Sequence, residues 1–148
     1  MKSAHRDRTR TNPHAHDAFR VLVAEDDDAM RTLLAEQLLR RGYDVVTCAN
    51  GVQLLDKLSP FLLGREPIEV DLLISDVRMP GLTGLEVLAG LTHEPGCPPT
   101  IIITAFGDQE THEEAARCHA AGFFDKPFEI EALLDRVGEI AAARARDN

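Results

Sequence analysis

Asp76 stands where an apolar run stops. Val70-Asp-Leu-Leu-Ile74 leads into Ser75-Asp76, then come Pro80, Gly81 and Gly84, with helix-like spacing from Leu85 on. An apolar run bounded by turn residues reads as a buried strand of a parallel sheet. An acid at the C-terminal end of such a strand lies on the edge where open α/β sheets bind ligands, so Asp76 is expected to be presented there, not buried. The same kind of ending recurs. Val21-Leu-Val-Ala24 stops in Glu25-Asp-Asp-Asp28, Thr100-Ile-Ile-Ile ends in Thr104, and Phe123-Phe-Asp ends in Lys126. Carboxylates gathered on one edge repel each other, and protonation or a hard divalent cation relieves them. Mg²⁺ takes about six oxygen ligands at about 2.0–2.1 Å and bridges protein acids to a phosphate. A Lys on that edge offers a movable positive charge to a phosphoryl oxygen, and a Thr hydroxyl offers a donor beside it. An Asp nucleophile, a metal, a Lys and a hydroxyl make up an aspartyl-phosphate site. Singly, each residue has an ordinary explanation: Asp28 as a helix N-cap, Thr104 as a strand-end threonine, Lys126 as a surface lysine. Four on one expected edge favour the chemical reading.

The elements that must position them can be read in order. Strand one is Val21 to Ala24. Met30, Leu33, Leu34 and Leu38 then recur at helical intervals, and Gly42 after two arginines is a helix stop. Tyr43 to Cys48 is strand-like. Val52, Leu54, Leu55 and Leu58 make a short second helix expected to end at Pro60, with Phe61 to Glu69 as a long connection that could extend it. Strand three is Val70 to Ser75. Thr83-Gly-Leu-Glu86 is a capping box for a helix burying Leu85, Leu88 and Leu91. His93 to Pro99 is a loop, and Thr100 to Thr104 a fully buried strand four. Helix four is expected over Asp108 to Ala121, closed by Gly122. Strand five is Phe123 to Lys126. Ile130, Leu133, Leu134, Val137 and Ile140 give helix five one apolar face. Five strands alternating with five helices imply βαβ units, a parallel sheet and helices on both faces. The strand ends then share one edge.

At 148 residues the chain holds one sizeable core. The organisation expected is a disordered basic leader over 1–19, a folded domain over 20–144 and a C-terminal tail over 145–148. Residues 1–20 carry five Lys/Arg and two Asp, +3, and the rest eleven Lys/Arg and twenty-three Asp/Glu, −12. Such an acidic domain does not suggest direct binding of nucleic acid. There is no apolar run long enough to span a membrane and no secretory signal. Cys48, Cys97 and Cys118 are scattered and odd in number, as in a reducing cytoplasm. His112, Cys118 and His119 lack a fourth ligand and read as plain helix, not zinc.

Together these pieces resemble the receiver domain of bacterial two-component response regulators. The resemblance rests on Val21-Leu-Val-Ala-Glu-Asp-Asp27, Asp76-Val-Arg-Met-Pro-Gly-Leu-Thr-Gly84, Ile103-Thr104-Ala105 and Phe123-Phe-Asp-Lys-Pro-Phe128, in order and at suitable spacing. It implies a flavodoxin-like doubly wound sheet of order 2-1-3-4-5, an order the general rules for open α/β sheets already associate with a member of this family. It also implies roles: Asp76 as phosphoacceptor, Asp26 binding Mg²⁺ directly, Glu25 holding it through water, and the backbone carbonyl of Arg78 completing the protein ligands. Thr104 and Lys126 would contact phosphoryl oxygens. Phe123 would be the aromatic that changes rotamer on activation, without the hydroxyl of the Tyr also common there. The Lys126–Pro127 bond would be cis.

The partners implied are a sensor histidine kinase or phosphotransfer protein and a downstream protein target, with a homodimer through helix four, strand five and helix five as an option. Neither nucleic acid nor membrane is a direct partner. The chain is then a cytoplasmic phosphorylatable signalling domain, not an enzyme acting on a separate substrate, though it could catalyse its own phosphoryl transfer and dephosphorylation. The face lined by Asp108, Glu110, Glu113, Glu114 and Asp125 is the expected output surface. Rivals fare worse. Glu25 to Asp28 would repel a flavin phosphate. Asp-nucleophile phosphatases and mutases place a second Asp where Arg78 stands. No P-loop is present. A receiver-like scaffold that works without phosphorylation would lack an acid, the Thr or the Lys, and none is missing.

Overall fold

Near-continuous apolar strands belong at the centre of a parallel sheet, where both faces are covered. The computed structural model describes residues 18–80, 83–92, 94–105 and 109–147, and it arranges the strands in that way. β1 is Arg20–Ala24, β2 Asp44–Cys48, β3 Leu72–Asp76, β4 Thr100–Thr104 and β5 Gly122–Asp125. All pairs are parallel, in the order β2-β1-β3-β4-β5. β3 and β4 are buried at every position, whereas β5 on the edge is half-buried. The expected leader falls outside the described residues up to position 17, as do Asp108 of the expected output face, Gly81 and His93.

Alternation along the strands divides the core in two. Val21, Val23, Leu72, Ile74, Ile101 and Ile103 face α1 (Asp28–Arg40) and α5 (Ile130–Asp147), meeting Leu34, Leu38, Leu133 and Val137. Leu22, Ala24 and Leu73 face α2 (Gly51–Leu62) and α3 (Gly84–Thr92), meeting Leu54, Leu58, Val87 and Leu91. A smaller cluster of Val77, Leu88 and Ile102, with Phe123 against it, lies toward β5. Each fully buried Ile or Leu contributes about 1.5–3 kcal/mol, so the central strands set the register firmly.

Local chemistry departs from the sequence reading at several ends. Asp27, not Asp28, caps α1, its side chain accepting from Met30 N–H at 2.8 Å; Asp28 is already in the first turn, where its charge meets the helix dipole. Gly42 does end α1, at φ +92. α2 does not stop at Pro60 but carries it in the last turn and runs to Leu62. Proline there forgoes one backbone donor, while Phe61 and Leu62 gain contact with the core. The capping box forms as expected, Thr83 Oγ1 accepting from Glu86 N–H and Glu86 Oε1 from Thr83 N–H. α4 is Gln109–Arg117, and the turn after it is made by His119 at φ +61; Gly122 already belongs to β5. α5 continues through residues 145–147 of the expected tail, since Ala and Arg are strong helix formers.

Candidate functional site

Parallel register brings the strand ends to one edge. Ala24 pairs with Ser75, Asp76 with Ile103, and Thr104 with Asp125. The residue after each strand is then fixed by the neighbouring strand's carbonyl: Glu25 N–H donates to Cys48 O at 3.0 Å, Val77 N–H to Ile103 O at 3.0 Å and Lys126 N–H to Thr104 O at 2.7 Å. The Lys126–Pro127 bond is cis, as expected.

The side chains converge on that edge. Ligand oxygens of Glu25, Asp26 and Asp76 lie within 4.8 Å of one another. Lys126 Nζ sits 2.8 Å from Asp76 Oδ2 and 2.9 Å from Glu25 Oε1. Asp76 Oδ1 accepts from Arg78 N–H at 3.1 Å, and Glu25 Oε2 from Asp27 N–H at 3.0 Å. The expectation that Asp76 is presented rather than buried is corrected: it is 5% exposed and Glu25 0%. A strand end is an open edge only until something covers it, and here Lys126 folds across both acids. Asp26 alone of the three is exposed. Together with Arg78, Met79, Pro80, Thr83 and Thr111 it lines a depression of about 620 Å³.

The electrostatics follow from this burial. Desolvation pushes the Glu25 carboxyl up to about 7, and Asp76 nearby adds to the rise; Lys126 and the Asp27 N–H offset only part of it. Burial would lower the Lys126 ammonium, but the Asp76 and Glu25 carboxylates outweigh it and hold its pKa above the ordinary value. Glu25 Oε1 is buried and, although ion-paired with Lys126, receives no well-directed hydrogen bond. An under-satisfied buried carboxylate oxygen in an all-oxygen cluster suits a hard divalent cation.

Thr104 is buried at the end of β4, its carbonyl holding the Lys126 backbone. Phe123 is not among the converging groups. It pairs with Ile102 one step down the sheet and packs on the Val77, Leu88 and Ile102 cluster and on His112. The supporting roles of three residues went unread in the sequence. Arg31 NH1 donates to the Glu25 carbonyl at 2.8 Å and so ties α1 to the acidic loop. Ser75 Oγ donates to Asp76 O at 3.0 Å. Gly84 lets α3 start against β3, where any Cβ would overlap the Asp76 carbonyl and lie 2.8 Å from Ser75 Oγ. The glycine itself was visible in the sequence, but not the close approach that requires it.

Comparison with known proteins agrees with this geometry. The family described as "Response regulator receiver domain" matches residues 21–138. The chain belongs to that family. It is 37% identical over 124 residues to the response regulator protein FleR of Pseudomonas aeruginosa, covering 84% of this chain but 25% of FleR. It is 31% identical to sporulation initiation phosphotransferase F of Bacillus subtilis over 118 residues, 80% of this chain and 90% of that protein. Among solved structures, the chemotaxis response regulator CheY4 of Vibrio cholerae aligns with a TM-score of 0.69 at 28% identity, covering 84% of this chain and 99% of that one. A CheY-like receiver protein of Methanospirillum hungatei reaches 0.76 at 22% identity, over 89% and 100% of the two chains, which speaks to the fold alone. This receiver domain thus spans about a quarter of FleR and nearly all of phosphotransferase F. No helix among its described residues is long and apolar enough to cross a membrane.

Proposed function

We propose that Asp76 accepts a phosphoryl group from the phosphohistidine of a sensor histidine kinase or phosphotransfer protein, in a Mg²⁺-dependent reaction, and that the resulting acyl phosphate switches contacts with a downstream protein in a cytoplasmic phosphorelay. The observation that carries this reading is the placement of Asp76 beside two further acids and under the ammonium of Lys126. Glu25, Asp26 and Asp76, with the Arg78 backbone carbonyl, would hold the cation. The cation supplies positive charge for the phosphoryl oxygens and lowers the repulsion between acids and incoming phosphate.

This chain's residues account for the rest. An Asp76 carboxylate oxygen attacks phosphorus as the P–N bond to the donor imidazole breaks; the P–O bond replaces it, and the bonding pair leaves with the imidazole. Lys126 is already within 2.8 Å of Asp76 Oδ2, so it needs only a small movement to follow the new negative charge onto a phosphoryl oxygen. Thr104, at the end of the adjoining strand, offers its hydroxyl to another. The Arg78 N–H donates to Asp76 Oδ1 and so helps to orient the carboxylate before transfer. The same groups would let the domain take phosphate from a small donor and return it to water unaided. Incubation with a small phosphoramidate donor, with and without Mg²⁺, tests this. Labelling should require Mg²⁺ and vanish in Asp76→Asn, and labelling that persists in that variant would defeat the assignment.

A further inference from the structure

α4 is the least anchored helix of the sheet's cover. Of its residues Gln109–Arg117, only Ala115 is buried. Its Gln109–Glu113 and Glu114–Arg117 pairs run along the helix itself. His112 instead reaches out of the helix to β5 and makes two contacts there. Its ring lies on Phe123, centroids 4.0 Å apart and planes 32° from parallel. Its Nε2 stands 3.1 Å from Asp125 Oδ2, which makes Nε2–H the donor to that carboxylate. Phe123 and Asp125 are two apart on one strand and so project to the same side, which allows one imidazole to hold both.

Phe123 in turn packs on Val77, Leu88 and Ile102, and Val77 directly follows Asp76. The contacts therefore form a short chain from the residue beside the phosphoacceptor, through Phe123, to α4. Any rearrangement at Asp76 and Thr104 that shifts Phe123 must break the stack on His112 or carry α4 with it. We infer that His112 is a positioning residue for the switch: with Asp125 it latches α4 onto β5 over Phe123 and favours the unphosphorylated arrangement. This deepens the aspartyl-phosphate reading and rests on it. A latch that favours one of two states opposes any ligand that selects the other, and its removal raises the competent fraction and the apparent affinity.

Beryllofluoride, formed from beryllium and fluoride salts with Mg²⁺, is the probe, titrated into the full chain and followed by NMR of the backbone around Asp76. Because an aromatic pair or an exposed hydrogen bond is a small term, His112→Ala should tighten the midpoint about three- to tenfold. Asp125→Asn, and His112→Phe, which keeps a ring and drops the Asp125 bond, should each tighten it by less. Thermal unfolding is read alongside, since a purely structural role would lower stability without tightening the probe. A wild type that titrates, with His112→Ala unchanged or weaker, overturns the latch and leaves the aspartyl site standing. A wild type that does not titrate at Asp76 overturns both.

Discussion

A buried carboxylate oxygen without a directed donor is costly, and Glu25 carries one. The cost has a sign that can be measured. Burial pushes the Glu25 carboxyl up from an ordinary 4.5 to about 7 in the fold, so between those values the folded chain binds more protons than the unfolded one. Stability from this group is therefore fully present below the lower value and is lost as pH rises through the upper one. In chelated buffer, wild-type stability relative to Glu25→Gln should fall across pH 4.5–7. If the acids hold Mg²⁺ as proposed, the cation should flatten that decline, because it would bind their ionised form in the folded state. Chemical denaturation at stepped pH decides it, and a difference that stays level without Mg²⁺ would contradict the origin given for the shift.

At the scale of elements, the seating of α3 against β3 positions Asp76. Gly84 N–H donates to Val77 O at 2.8 Å, and the Asp76 carbonyl at the end of β3 lies where a Cβ would be. Gly84→Ala should cost about 1–3 kcal/mol by displacing α3 from the Asp76 turn, with denaturation midpoints as the readout. An unchanged midpoint would mean that α3 can withdraw without loss. Toward the β5 edge of the same face, the elements expected to move are α4 and β5. Phosphate contacts worth about 5.5 kcal/mol in favour of a second arrangement would carry the domain from 1:99 to 99:1. Hydrogen exchange with a phosphoryl mimic should therefore change in α4 and β5, next to Glu110, Glu113, Glu114 and Asp125. Changes confined to the loops after β1 and β3 would argue against an output face there.

Over the whole molecule, charge sets what the domain avoids. Twenty-five acids against sixteen Lys/Arg make it anionic, so duplex DNA at physiological salt should bind no tighter than micromolar; submicromolar binding in a mobility assay would refute this. The fold class was legible because β1, β3 and β4 each carry an unbroken run of three or four apolar residues and the helices between them keep helical spacing. The strand order was legible only through family resemblance, since alternation does not say which strand neighbours which. The acids, Thr104 and Lys126 were legible as strand endings. What could not be read depends on distant pairing. Lys126 covers Asp76 from 50 residues away, and that cover makes the acid buried where its strand end alone suggested exposure. The contact between His112 and Phe123 leaves no periodic trace in the sequence. Helix ends were misplaced where tertiary contact overrode local signals, as at Pro60 and His119.

The proposed phosphotransfer would form one covalent bond, and its position can be read directly. After phosphotransfer in Mg²⁺, borohydride reduces an aspartyl phosphate to homoserine, which peptide mass spectrometry then locates. Homoserine at position 76 and nowhere else is the predicted result. Homoserine at Asp26 or Asp27, or a phosphoryl group that resists borohydride because it sits on a histidine, would contradict the assignment of Asp76 as phosphoacceptor.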